Sequence, residues 1–263
     1  MFPTLVEFGF LKIHSYGLCM ALGLLCAVNL VAWLARREEV DGMGDEGFAS
    51  NMFLALAASS IIGARAAYVM EHWSSTYAQN PISAFKPGDG GLMFYGGFLL
   101  SFATVLVFAH VKKIKIPPLL DILATALPLG HAFGRLGCFL SGCCFGRPTD
   151  AWYGVVYPVD SHAHLYFGGC PVIPSQLVES GLNLIVFAML ITISLRVKTR
   201  PGIRTGIYMM CYAILRSFVE TLRGDTRMNV GVFSIAQFIS LGVFTAGAAF
   251  VVNAIWRKNV PEK

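Results

Sequence analysis

Seven charged residues stand within or at the edges of segments that are otherwise apolar: Arg65, Asp121, Arg135, Glu179, Arg216, Glu220 and Arg223. A charge in a hydrocarbon environment is costly, and residues that carry one there generally have a function. Arg216, Glu220 and Arg223 recur at helical spacing, so they share one face of a helix. Arg65 and Arg135 have no carboxylate within one helical turn of their own segments. We therefore expect these two arginines to bind an anion, and the planar guanidinium suits the oxygens of a phosphate group.

The segment around Arg135 also contains glycines and thiols. It reads GRLGCFLSGCCFG at residues 134–146 and includes Cys138, Cys143 and Cys144. Glycine allows the backbone to approach a ligand closely, and a second glycine-rich stretch reads GGLMFYGGF. Tight helix packing explains each glycine equally well. The thiols, together with Cys170, are explained either by packing or by a disulfide whose pairing the spacing does not determine.

The elements that must position these residues are membrane-spanning helices. Hydrophobic residues make up 56% of the 263 residues and charged residues 13%, whereas a soluble domain has about 25% charged residues. Seven apolar segments each have about the 20 residues that cross a bilayer. The composition predicts an all-α polytopic membrane protein with one transmembrane domain over residues 1–263. The predicted spans are about 14–35, 48–71, 92–110, 118–139, 176–195, 203–222 and 230–255.

The distribution of basic residues predicts the orientation. Most lysines and arginines outside the spans lie in one set of connections, which includes Arg36, Lys112, Arg196 and the C-terminal end. The positive-inside rule makes this set cytoplasmic, so the N-terminus is predicted to be external and the C-terminus cytoplasmic. The net charge of +5 reflects this bias, and we predict no binding of nucleic acid.

One connection is longer than the others. Residues 140–175 are too polar for a span and too long for a simple connector, so we predict a small external head. His162 and His164 in this segment are interpreted as ordinary loop residues, and we predict neither a metal site nor a cofactor. Asp121, at the start of the fourth span, is expected to cap its own helix.

Six motifs occur in an order that points to one family. They are HSYGL, GARAAYV, DGGLMFYGG, GRLGCFLSGCCFG, PSQLVE and LRSFVETLRGD. On these motifs the chain resembles the bacterial prolipoprotein diacylglyceryl transferases over nearly its whole length. The resemblance implies seven helices with an external N-terminus and an external head, in the bacterial cytoplasmic (inner) membrane.

The resemblance also implies an activity. The diacylglyceryl group of phosphatidylglycerol is transferred to the lipobox cysteine of a prolipoprotein, which forms a thioether, and glycerol 1-phosphate is released. The implied partners are phosphatidylglycerol, prolipoprotein signal peptides with a lipobox cysteine, and the lipid bilayer. The implied catalytic residues are Arg135, Arg216, Glu220, Tyr16 and Tyr95. The implied substrate-binding residues are Arg65, Tyr68, His14, Arg223, Gly146, Cys138 and Gly97.

Departures from the family pattern leave the general base unassigned. Tyr95 stands where many members have a histidine, and a phenol holds its proton more tightly than an imidazolium does. Cys138, Ser141 and Cys143 replace two asparagines and a glutamate of the family signature. The acceptor thiol must still lose its proton, because the thiolate is the nucleophile. A carboxylate such as Glu220 is one alternative base. His131 is another, and helix packing is the other explanation for this histidine. A third alternative is that the chain is a paralogue with changed chemistry.

Two other functions stay open at this point. The cysteines near the predicted outer face suit a membrane thiol–disulfide oxidoreductase, although no C-x-x-C pair is present. A non-enzymatic phospholipid-binding or transport protein would need polar groups through both halves of the membrane. The inner halves of these spans are nearly free of charge, which argues against transport.

Overall fold

The computed structural model describes residues 4–8, 11–45, 47–78, 80–85, 91–159, 161–224, 229–230 and 233–256. Most of them are helical. The long helices are α1 (Ser15–Arg37), α2 (Phe48–Glu71), α3 (Phe94–Val111), α4 (Ile116–Ser141), α6 (Ser175–Arg196), α7 (Ile203–Leu222) and α8 (Ile235–Trp256). Between α4 and α6 lies the short α5 (His162–Phe167). Two antiparallel pairs of short strands are β1 (Thr4–Phe8) with β2 (Leu11–His14), and β3 (Asn229–Val230) with β4 (Phe233–Ser234).

Each predicted span coincides with one long helix of the described chain. The last helix begins later than predicted, at Ile235, because β3 and β4 precede it. By length and composition, α1, α2, α4, α6 and α8 are apolar enough to cross a membrane. Large apolar side chains point outward, as in Leu54 and Leu99, which are 70% and 65% exposed. The chain is therefore a multi-pass, all-α membrane protein.

Some residues used to predict the orientation lie outside the described part of the chain. They are Lys86, Arg227, Arg257, Lys258 and Lys263. The glycine-rich motif also begins outside it, at Asp89 and Gly90. The described chain divides into two compact units, one of residues 32–119 and the other of residues 1–31 with 120–263.

In the smaller unit, α2 and α3 pack antiparallel through small residues. A Cβ added to Gly63 would collide with the carbonyl of Gly96, and one added to Gly97 would lie 2.9 Å from the carbonyl oxygen of Ser60. Only small residues allow two helices to approach so closely. Gly96 and Gly97 of the second glycine-rich stretch therefore serve helix packing, which was one of the two explanations for these glycines.

In the larger unit, Asp121 of α4 caps the N-terminus of α7. Its carboxylate accepts hydrogen bonds from the backbone N–H groups of Gly202 and Thr205, each at 2.8 Å, and from the Thr205 hydroxyl at 2.6 Å. Arg204 Nε lies 3.9 Å from the same carboxylate. The expectation that Asp121 caps its own helix is wrong, because α4 begins five residues earlier, at Ile116. Asp121 is thus beyond the free N–H groups of the first turn.

The segment predicted to form a head has a small apolar core of its own. Phe145, Tyr157, Ala163 and Val172 are buried against one another. Backbone hydrogen bonds between Val155 and Val172, at 2.9 and 3.0 Å, tie the two sides of the segment together.

Candidate active site

Chemically active side chains collect at one end of the larger unit. The helices α1 and α6 begin at this end, and α4 and α7 finish there. Tyr16 is in the first turn of α1 and Glu179 is near the start of α6. Arg135 lies in the last two turns of α4, and Arg216 and Glu220 lie in the last two turns of α7. Four helices therefore contribute to one region.

Arg135 is paired with a carboxylate from another helix. Its Nη2 atom lies 2.9 Å from Oε1 of Glu179, whose side chain is 1% exposed. The Nε–H of Arg135 donates to Nε2 of His131 at 3.3 Å, and the same ring nitrogen lies 3.4 Å from Glu179 Oε1. Unprotonated, this nitrogen accepts from Arg135; protonated, it donates to Glu179. The three side chains form one polar cluster.

Arg216 and Glu220 form a second ion pair, on α7. Arg216 Nη1 lies 2.7 Å from Glu220 Oε2, and the side chains are 14% and 6% exposed. Among the described residues, neither oxygen of Glu220 accepts a well-oriented hydrogen bond. Arg216 also lies close enough to Glu179 to act on it electrostatically. The two ion pairs are therefore neighbours.

Arg223 is held at the same place by the loop that follows α4. It forms an antiparallel bridge with Gly146, whose N–H donates to the carbonyl of Ile173 at 2.9 Å. A Cβ on Gly146 would lie 2.8 Å from the carbonyl oxygen of Leu222 and would also meet Ile173. Glycine is therefore required for these three segments to meet. Arg223 lies within electrostatic range of Arg135.

Three thiols adjoin these arginines. The Sγ atoms of Cys138, Cys143 and Cys144 all lie within 4.8 Å of one another. Their approach follows from the end of α4, where Gly142 has a φ of +71°. The N–H of Gly142 donates to the carbonyl of Phe139, and the N–H of Cys143 donates to that of Cys138. This is the Schellman ending of a helix, which brings the last residue of the motif back over the first.

The hydrogen bonds among the thiols shift their acidities in opposite directions. Hydrogen bonds from Cys138 and Cys143, and then the charge of Arg223, hold the pKa of Cys144 well below that of an ordinary thiol. Hydrogen bonds to Cys138 and Cys144, with burial, raise the pKa of Cys143. Cys144 is therefore the most acidic thiol of the group. Tyr16 lies within electrostatic range of all three thiols and of Arg135, and its ring packs against Gly137.

The PSQLVE motif fixes the backbone of the thiol loop. Gln176 donates from Nε2 to the carbonyl of Cys143 at 2.6 Å and accepts from the Tyr157 hydroxyl at 3.1 Å. Ser175 donates to the carbonyl of Cys144 at 3.0 Å. Burial raises the pKa of Tyr157 to about 12. The start of α6 thus supplies Glu179 to Arg135 and also orders the neighbouring loop.

In the smaller unit, Arg65 binds backbone oxygens. Its guanidinium donates to the carbonyls of Ala84 at 3.0 Å, Ser83 at 3.3 Å and Gly91 at 3.4 Å. It also lies over the rings of Tyr68 and Tyr77, at 5.8 and 5.7 Å from their centroids. The anion expected for Arg65 is thus replaced here by carbonyl dipoles, which order the segment after α2. Its predicted role in substrate binding stays a prediction.

The other predicted residues occupy varied positions. Tyr95 is 59% exposed on α3, Tyr68 stacks on His72 with ring centroids 4.2 Å apart, and His14 is exposed at the end of β2. Gly97 is explained by the contact of α2 with α3, without a ligand. The substrate contacts expected of these residues stay predictions.

An apolar groove lies between α7 and α8. It has a volume of about 550 Å³. Its lining residues are Ala213, Ile214, Ser217, Gln237, Phe238, Ser240, Leu241 and Phe244. The groove therefore runs beside the helix that bears Arg216 and Glu220.

The cluster includes Glu179, Cys143 and Cys144, which were not among the predicted site residues. Glu179 reads in the sequence as a charge that favours the start of its helix, and Cys144 reads as one more thiol in a cysteine-rich loop. The sequence did contain a signal that Cys143 returns to Cys138. Gly142 follows GRLGCFLS at the position where a helix commonly ends in a left-handed residue. No local pattern pairs Glu179 with Arg135, because 44 residues separate them.

Comparison with known proteins shows the family of this chain. The family model of the prolipoprotein diacylglyceryl transferases matches residues 3–253. The chain is 32% identical over 255 residues to phosphatidylglycerol–prolipoprotein diacylglyceryl transferase 2 of Clostridium perfringens, with 96% of each chain covered. It is 34% identical over 257 residues to the phosphatidylglycerol–prolipoprotein diacylglyceryl transferase of Trichormus variabilis, covering 94% of this chain and 87% of the relative. Against the Geobacter sulfurreducens enzyme the identity is 32% over 264 residues, covering 98% and 97%. The chain belongs to the prolipoprotein diacylglyceryl transferase family.

Proposed function

We propose that this chain transfers the diacylglyceryl group of phosphatidylglycerol to the lipobox cysteine of prolipoproteins, forming a thioether and releasing glycerol 1-phosphate. The observation that supports this most is the grouping of Arg135, Arg216 and Arg223 with two buried carboxylates at one end of the larger unit. Membership of the family supplies the reaction.

The charges of the cluster suit a phosphodiester. Three arginines and the carboxylates of Glu179 and Glu220 leave one positive charge in excess, and the phosphate of phosphatidylglycerol has one negative charge. An arginine fork binds two phosphate oxygens at once. Both ion pairs are largely buried, where charges interact more strongly than in water. The phosphate takes a place beside Arg135 and Arg216 and shares their guanidinium groups with the carboxylates.

The reaction needs one proton removed and one leaving group stabilised. The lipobox thiol gives up its proton, and its sulfur attacks the carbon of the diacylglyceryl group that bears the phosphate ester. That C–O bond breaks, and the phosphate keeps the electron pair. Prepositioned arginines stabilise the charge that develops on the leaving phosphate. Glu220, which pairs with Arg216, accepts the thiol proton.

The membrane arrangement in this proposal has seven spans, an external N-terminus, a cytoplasmic C-terminus and an external head at residues 140–175. The charge cluster then lies in the outer half of the membrane, at the depth of lipid headgroups. The apolar groove between α7 and α8 takes an acyl chain of the donor. A lipobox peptide reaches the site from the external side.

Complementation tests the proposal. The chain is expressed in a bacterium depleted of its own transferase, and lipidation of a reporter prolipoprotein is followed by its shift in mass. We expect the unmodified chain to restore lipidation and Arg135→Ala and Arg216→Ala to fail at equal protein levels. An unmodified chain that is present in the membrane and restores nothing would point to a different reaction.

A second set of variants separates transfer from thiol chemistry. Replacing Cys143, Cys144 and Cys170 together by serine removes the thiols that an oxidoreductase would need. Transfer should survive this change, since the nucleophilic thiol comes from the prolipoprotein. Loss of lipidation with an intact fold would favour the thiol-based reaction.

A further inference from the structure

We propose that Cys138, Cys143 and Cys144 form a three-thiolate binding site for a thiophilic cation, either Cu(I) or Zn(II). The transfer reaction needs no such site, so this binding is a property additional to it. The first support is distance. The three Sγ atoms lie within 4.8 Å of one another, and sulfurs around one cation would be about 4 Å apart, because the metal–sulfur distance is about 2.3 Å.

The second support is that the backbone holds the thiols in place before any cation binds. The Schellman ending of α4 returns Cys143 to Cys138. Cys144 has a φ of +60°, a conformation that a cysteine rarely adopts and that surrounding structure must enforce. Hydrogen bonds from Gln176 and Ser175 fix the carbonyls of Cys143 and Cys144. Little rearrangement is therefore needed to form the site.

The third support is charge and access. Cation binding releases the thiol protons and leaves three thiolates, which with one monovalent cation have a net charge of −2. Arg223 hydrogen-bonds Cys144, and Arg135 acts on Cys138 electrostatically, so two guanidinium groups offset that charge. All three thiols are partly exposed. Thiolate sulfur selects soft cations over magnesium or calcium.

Metal retention by the purified, reduced full chain tests the proposal. The protein in detergent is loaded with Cu(I) or with Zn(II) in separate arms, desalted against a weak chelator, and analysed for metal by mass spectrometry. We expect about one cation per chain in at least one arm, and loss of that cation in Cys138→Ser, Cys143→Ser and Cys144→Ser. The matched control, Cys170→Ser, changes a thiol outside the cluster and should retain the cation. The proposal would be overturned if a variant with all three cluster cysteines replaced by serine retained as much cation as the unmodified chain. It would also be overturned if the unmodified chain retained no cation in either arm.

A second measurement uses the unmodified chain alone, so its result does not depend on whether a cysteine variant folds. Native protein with and without the cation is treated with a maleimide, and labelled peptides are quantified. The cation should protect Cys138, Cys143 and Cys144 and leave Cys170 equally reactive. Protection that is absent, or that is the same at Cys170, contradicts the proposal. Neither readout depends on transfer activity, so the site and the proposed transferase reaction can fail separately.

Discussion

Arg135 and Arg216 are each paired with a buried carboxylate, Glu179 and Glu220 respectively. The surroundings of the two glutamates differ, and so do the roles that we assign to them. Glu179 is also in contact with His131 and is almost completely buried, so it fixes the direction of Arg135. Among the residues described, the Glu220 side chain is paired with Arg216 on its own helix and with no other side chain. We therefore assign positioning to Glu179 and proton transfer to Glu220.

Glu220→Gln tests the proton-transfer assignment. An amide has a similar shape but cannot accept the thiol proton, and general-base catalysis contributes about 10²- to 10⁴-fold. We expect kcat for transfer to a lipobox peptide to fall by about that factor, with the melting temperature little changed. Glu71→Gln, at an exposed position at the end of α2, is the control. An undiminished kcat in Glu220→Gln would show that Glu220 does not accept the thiol proton.

Glu179→Gln tests the positioning assignment. Removing one member of a buried ion pair costs about 3–5 kcal/mol, because the other charge is left without compensation. We expect a lower melting temperature in detergent together with slower transfer.

The double variant Glu179→Gln with Arg135→Gln separates stability from activity. Both charges are gone, so the melting temperature should recover relative to Glu179→Gln alone, while transfer stays lost because Arg135 is absent. A double variant as active as Glu179→Gln would mean that Arg135 does not bind the phosphate.

At the scale of elements, the site depends on how α7 is anchored at both ends. Asp121 caps its N-terminus, and the bridge of Arg223 with Gly146 fixes the residue after its C-terminus. The helix therefore cannot shift along its axis without breaking one of these contacts. This anchoring sets the height of Arg216 and Glu220 relative to Arg135.

Asp121→Ala should destabilise the protein. It removes the acceptor of two backbone hydrogen bonds and leaves the buried Arg204 without its carboxylate, which together cost about 3 kcal/mol or more. The melting temperature in detergent measures the effect. Asp121→Asn keeps one acceptor and should lose less, and Asp150→Ala, at an exposed position, should change nothing. Equal stability of Asp121→Ala and Asp150→Ala would contradict the capping role.

The loop between α4 and α6 has a pH-dependent contribution from Tyr157. Because burial raises its pKa to about 12, above the ordinary value of about 10, the folded state favours the protonated phenol. That stabilisation is complete below about pH 10 and is lost as pH rises towards about 12. We expect the melting temperature of the unmodified chain to fall more steeply over this range than that of Tyr157→Phe. The control is Tyr153→Phe, which removes an exposed phenol from the same segment. Equal slopes for Tyr157→Phe and the unmodified chain would exclude this contribution.

At the scale of the whole molecule, the sequence predicted the positions of the long helices well. Continuous apolar segments depend on composition alone, so α1, α2, α4 and α6 agree with their predicted ranges within two residues. The pairing of Arg216 with Glu220 was also predictable, because helical spacing brings those residues onto one face.

The long-range contacts were not predictable from one sequence. Asp121 reaches α7 across 81 to 84 residues, and Glu179 reaches Arg135 from a different helix. Arg65 finds its partners in the backbone carbonyls of Ser83, Ala84 and Gly91, and no side-chain pattern shows where a carbonyl will point. Such contacts depend on which helices are neighbours, and this follows from the fold as a whole.

Reconstituted transfer measures directly whether Arg135 and Arg216 hold the donor phosphate. Each purified variant is placed in vesicles that contain phosphatidylglycerol, and the rate of mass increase of a lipobox peptide is recorded. Arg135→Ala and Arg216→Ala should each lower kcat by about 100-fold or more, while Arg147→Ala, which removes an exposed arginine near the same loop, should match the unmodified chain. Arg135→Ala and Arg216→Ala that are folded and transfer at the unmodified rate would contradict the account.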